Sequence, residues 1–133
     1  MFKVIYDLSK ESEEIARLQA VSLSESGAGL KAEPVLIGST EWWDLIDTVR
    51  LPLIKVTGIV SDVHFSGHGD FPEFEVTSGN EKTYWEIYGD ISKYKIGSKI
   101  TIEYVLMELK EDPWLGVTNG PTECVLKVTL ILN

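Results

Sequence analysis

Two imidazoles and two carboxylates crowd one short stretch of the chain: Asp62, His64, His68 and Asp70. Side chains of these types can hold zinc, which takes three or four ligands and in catalytic sites keeps one position for water. A metal-dependent hydrolase at His64 and His68 is the enzyme such a cluster would make. The local pattern argues against it. His-x3-His puts both rings on one face of a helix, but Ser66–Gly67–His68–Gly69–Asp70 is a run of turn formers between strand-like segments. Loop glycines do not preorganise four ligands, so the expectation is solvated loop histidines, with no metal and no other cofactor.

The remaining chemistry-bearing types are weaker candidates. Cys124 is the single cysteine, so no intramolecular disulfide and no cysteine-rich zinc site can form. It lies in an apolar alternation, where a thiol acts as a small hydrophobe with little thiolate character. No Gly-x-Ser-x-Gly elbow and no phosphate-cradling Gly-x4-Gly-Lys loop occurs. Glu73, Glu75 and Glu86 supply carboxylates for glycoside chemistry, yet Glu73 and Glu75 alternate with Phe74 and Val76, the pattern of a solvated outward sheet face. The chain is therefore read as a non-enzymatic protein.

Charge narrows the partners. In 133 residues, 21 acidic against 12 basic side chains leave a net charge of −9. Nucleic-acid binding draws its affinity from Lys and Arg displacing counterions, so that partner class is disfavoured. Hydrophobic residues make up 44% of the chain, enough for a globular core without metal or disulfide. The opening stretch MFKVIYDLSKESEE has no apolar core of signal-peptide length, and no run approaches the ~18–20 residues that span a bilayer. A cytoplasmic protein with no membrane partner is expected.

The elements that must position these residues change character near Pro52. Residues 1–52 read as an N-terminal α/β extension packed on the remainder of the chain. Phe2, Val4 and Tyr6 alternate as a short strand, and Ser9 is placed to cap a helix whose first turns carry Glu11, Glu13 and Glu14. Ile15, Leu18 and Val21 or Ser22 supply its inward stripe, with Gly27 and Gly29 ending it. Pro34 to Gly38 is a candidate second short strand. A second helix is expected from a Ser39 or Thr40 cap to Pro52, with Trp42, Leu45, Ile46 and Val49 at i, i+3, i+4 and i+7 forming the inward face. Trp43, about 100° round that helix, is either a lid on the core's edge or an exposed anchor.

From residue 53 to 133 the pattern is β and reads as one compact unit. Five strands are expected: Leu53–Phe65, Phe71–Thr77, Lys82–Tyr88, Ile100–Leu109 and Glu123–Ile131. Gly58 and a switch of phase inside the first suggest a bulge or bend. The order and spacing of these strands resemble an oligonucleotide/oligosaccharide-binding (OB) barrel over about residues 53–131, with Tyr94–Ile100 similar to the turn before its fourth strand. The expected fold class is thus α+β, mainly β: a five-stranded curved antiparallel OB-like barrel preceded by a short strand and two N-terminal helices.

The resemblance implies a ligand platform where loops one–two and four–five flank strands two and three. It would carry Phe65, Phe71, Tyr84, Tyr88 and Trp114, joined by Trp43 and ringed by Asp70, Glu73 and Asp112. Tyr84 and Tyr88 share one face of the third strand and Trp85 and Ile87 the other, either pair being core. An acidic surface dotted with aromatics suits a basic protein segment, because charge steers encounter while aromatic anchors carry affinity. Such a face would bind a protein partner or a second copy of the chain, as a homo-oligomer. An inhibitor or immunity-type protein masking a basic partner has this size and charge, although no motif identifies one. The alternative reading is an OB-like module for a small neutral ligand such as a saccharide.

Overall fold

A computed structural model describes residues 1–25, 29–65, 72–110 and 121–132. Among the described residues there are six strands: β1 (Phe2–Asp7), β2 (Ile54–Phe65), β3 (Pro72–Ser78), β4 (Glu81–Glu86), β5 (Lys99–Glu108) and β6 (Pro121–Ile131). Between β1 and β2 the described residues form two α-helices, α1 (Ser12–Leu23) and α2 (Thr40–Asp47). The strands form one sheet in the order β1-β6-β5-β2-β3-β4.

That order corrects the barrel. A closed sheet needs its outermost strands to bond to each other, and here the sheet is open, ending at β1 and β4. The opening strand is no prefix to a five-stranded unit. It pairs antiparallel with β6, Phe2 facing Ile131 and Asp7 facing Lys127, and so takes that strand's free edge. Alternation in a sequence marks which residues are extended, but it carries no information on which strand bonds to which.

By internal packing the chain divides into two compact units, Met1–Asp7 with Lys55–Glu103 and Lys127–Asn133, and Leu8–Ile54 with Tyr104–Leu126. In the first, Val60, Phe74, Val76, Trp85, Tyr94, Ile100, Ile102 and Val128 are buried. Tyr6 stacks on Tyr88 with ring centroids 4.7 Å apart, and the Tyr94 hydroxyl donates to the Tyr88 carbonyl at 2.7 Å. Gly58 marks a close approach: a Cβ there would stand 2.5 Å from the Thr77 carbonyl oxygen. The change of phase expected at this glycine comes later, where the β2–β3 register shifts between Val60 and Asp62.

In the second unit Leu8, Leu30, Ile37, Trp42, Val105, Met107, Val125 and Leu126 are buried. Ser9 does not cap α1; Leu8–Lys10 form a single 3-10 turn and the helix begins at Ser12 after Glu11. It ends at Leu23, before the glycines expected to stop it. Residues 34–38 form no strand but bends and a turn. Ser39 does cap α2, its hydroxyl accepting from the Trp42 amide at 3.2 Å. Trp42 is fully buried and its indole N–H donates to the Met107 sulfur at 3.3 Å.

The C-terminal end of α2 departs from the expected stripe. The helix stops at Asp47, and Val49 adopts φ 61° with 73% of its surface exposed. The amides of Arg50 and Leu51 both return to the Leu45 carbonyl at 2.9 Å, the wrap that ends many helices around a left-handed residue. Glycine normally takes that position because a Cβ is strained there. Once the chain leaves the helix, i+7 periodicity no longer directs Val49 inward.

An acidic face on strands two to four

Strands β2, β3 and β4 pair in sequence, and their register decides what the solvent side presents. Phe74 lies opposite Val63 and Trp85, and Val76 opposite Val60 and Thr83. Phe74, Val76, Val60 and Trp85 are buried on the core side, and the Trp85 indole donates to Thr83 Oγ1 at 2.8 Å. Alternation then turns the intervening residues outward. One outer row reads His64–Glu73–Glu86 and the next Asp62–Glu75–Tyr84. Glu73, Glu75 and Glu86 therefore occupy the outward face that their alternation with Phe74 and Val76 suggests.

Two like-charge pairs result, Asp62 directly across from Glu75 and Glu73 directly across from Glu86. Opposed like charges destabilise a sheet, so the surrounding polar groups matter. Glu75 accepts from Ser61 Oγ at 2.7 Å, and that hydroxyl accepts from Thr77 Oγ1 at 2.7 Å. Lys82 Nζ stands 3.8 Å from the same carboxylate. The Ser61 hydroxyl first, then the Tyr84 hydroxyl and Lys82, hold the Glu75 carboxyl below its ordinary range, while the carboxylate pushes the Tyr84 phenol up. His64 bridges two of the other three acids, Nδ1 at 3.1 Å from Asp62 and Nε2 at 3.5 Å from Glu73. Its ring meets Tyr84 edge-on, with centroids 6.4 Å apart, and Tyr84 is 56% exposed. Glu86 is exposed and has no partner among the described residues.

The expected platform residues part company here. Tyr84 and Glu73 come together on this face with Asp62 and His64. Tyr88 does not join them, because β4 ends at Glu86 and the Tyr88 ring turns onto Tyr6. Trp43 belongs to the other unit, half-buried with its ring edge-on to Trp42 at 4.7 Å. Phe65 closes β2. Asp70, Phe71, Asp112, Trp114 and His68 lie outside the described residues. Among the described residues no group of three or more His, Cys, Asp or Glu side chains is arranged to hold a metal ion. Ser61, Thr77 and Lys82 complete the face without having been singled out from sequence; their signal was the same alternation, one strand over. Burial pushes the Cys124 thiol up to about 12, with Glu14 adding to the shift, so it is no ready nucleophile.

A small, acidic, mainly-β protein with a fixed polar sheet face is the class these features define. Residues 1–130 match the family described as immunity protein RhsI2, and the chain belongs to that family. Among curated proteins none matches the chain. No helix among the described residues is long and apolar enough to cross a membrane.

Proposed function

We propose that this chain is an immunity protein that binds a toxin as its protein partner, without catalysis, through the acidic face of β2, β3 and β4. Membership of the immunity protein family supports a protein partner. The observation that carries the choice of face is the placement of Asp62 across from Glu75 and Glu73 across from Glu86. Such an arrangement raises the energy of the free protein and is relieved when a cation enters between the acids. Arginine or lysine side chains of the toxin fit this chemistry, since carboxylates accept paired, charge-assisted hydrogen bonds from guanidinium. Tyr84, exposed in the middle of the acids, offers an aromatic anchor for the stem of such a side chain.

The test is capture of the toxin from producing cells by the immobilised chain, followed by titration with the purified toxin at rising salt. A Glu73→Lys, Glu86→Lys double variant should capture none at the concentration where the parent is saturated. Binding that ignores both salt and charge reversal would refute the face, and failure to bind or neutralise any toxin would refute the function.

A further inference from the structure

The second unit holds a groove that the acidic face does not use. It has a volume of about 650 Å³ and runs between Pro34–Val35 and α2, where Glu41, Asp44 and Leu45, followed by Thr48 at the helix C-cap, recur at i, i+3, i+4 and i+7 along one side. Pro34, Val35 and Leu45 make its apolar floor, and the same three residues continue into a smaller hollow of about 250 Å³ floored by Leu106 and Met107. Glu41 and Asp44 are exposed on the rim and have no ion-pair partner among the described residues. Arg50 is the one cation lining the larger space among the described residues; in the smaller one Lys31 is neutralised by Glu108 at 3.3 Å. Next to this rim stands Val49, a β-branched side chain kept in a left-handed backbone with most of its surface in water. It contributes little inside the fold, and backbone strain of this kind clusters at ligand clamps and other functional sites.

We infer that this groove is a second docking surface for the protein partner, taking a segment that pairs a basic side chain with an aliphatic one. The inference rests on the reading of the chain as a binder of a basic toxin. The aliphatic side chain lies on Pro34, Val35 and Leu45, the cation reaches Glu41 and Asp44, and Val49 packs over the segment from the helix end. Charge complementarity names the occupant. The chain carries −9 overall, and the rim of the larger space holds two carboxylates against one guanidinium, so an acidic segment is repelled and a neutral one leaves both acids unanswered.

The probe is a synthetic peptide, so the result does not depend on finding the toxin. The full chain, labelled with nitrogen-15, is titrated with the capped peptide Arg-Leu-Arg-Leu-Arg and with its Glu-Leu-Glu-Leu-Glu counterpart. The basic peptide should move the amides of residues 33–51, and a Glu41→Lys, Asp44→Lys double variant should weaken that response at least tenfold while unfolding like the parent. Val49→Gly, which relieves strain and so folds, should weaken it several-fold. Shifts confined to β2–β4, equal shifts with the acidic peptide, or a dimer in sedimentation that the same double variant dissolves would each overturn the inference. A chain that captures toxin but ignores the basic peptide at residues 33–51 sinks this groove alone. A chain that binds the peptide there yet neutralises no toxin sinks the proposed function instead.

Discussion

Val49 joins two quantities that normally move together, and replacing it with glycine separates them. An L-residue in the left-handed region costs roughly 1–2 kcal/mol, towards the upper end when the side chain is β-branched. Full burial of a valine contributes about 1.5–3 kcal/mol, but with 73% of Val49 exposed only about a quarter of that, ~0.5 kcal/mol, is at stake. Glycine returns part of the gain by loosening the unfolded chain, by ~0.5–1 kcal/mol. The balance is a net stabilisation of about 0.5–1 kcal/mol, or about 2–4 °C in midpoint for a domain of this size. Urea and thermal unfolding followed by tryptophan fluorescence will read it, since Trp42 is fully buried in the helix that ends just before Val49. Val49→Ala, which keeps Cβ, should gain less than Val49→Gly, and Val49→Asn should also gain because asparagine tolerates this conformation. A glycine variant less stable than the parent would refute the reasoning, for it would mean the valine side chain packs usefully or its backbone is not left-handed. The same variant should bind the partner less tightly, so that stability rises as function falls.

Four further outcomes are expected. Glu86→Lys should leave unfolding unchanged or slightly raised, because it turns the opposed Glu73–Glu86 pair into one of unlike charge, while partner affinity falls by about thirtyfold or more and becomes less salt-dependent; isothermal titration at two salt concentrations checks both. Gly58→Ala should destabilise by about 1–3 kcal/mol in chemical denaturation, because its Cβ would press on the Thr77 carbonyl oxygen at 2.5 Å. Ser22→Ala should be neutral or stabilising by up to ~1 kcal/mol, since the Ser22 hydroxyl is buried without a hydrogen-bond partner among the described residues. Cys124, with its thiol pushed up to about 12 by burial, should resist iodoacetamide at pH 8 in the folded protein and react fully in urea. Burial favours the neutral thiol more in the folded than in the unfolded chain, so the stability this contributes is complete below the ordinary thiol value of ~8.5 and is lost as pH rises towards about 12.

Local features were legible in the amino-acid sequence. Alternation marked each described strand to within two residues but also suggested one at 34–38 that does not form, a Ser39 or Thr40 cap with Trp42 placed the start of α2, and Phe74 and Val76 set the phase that turns Glu73 and Glu75 outward. These are short-range properties, decided by periods of 2 and 3.6 residues and by caps. The acidity that pointed to a basic protein partner is likewise a sum over the chain. Long-range pairing settled the rest. Hydrogen bonding between strands is a pairwise choice, and β1 bonding to β6 left an open sheet where a barrel was expected. Register put Asp62 across from Glu75 and gathered Ser61, Tyr84, Lys82 and His64 around them, a placement that depends on a one-residue shift between Val60 and Asp62. The early end of α2 turned Val49 from the inward stripe to solvent, because helical periodicity directs a side chain only as long as the helix lasts.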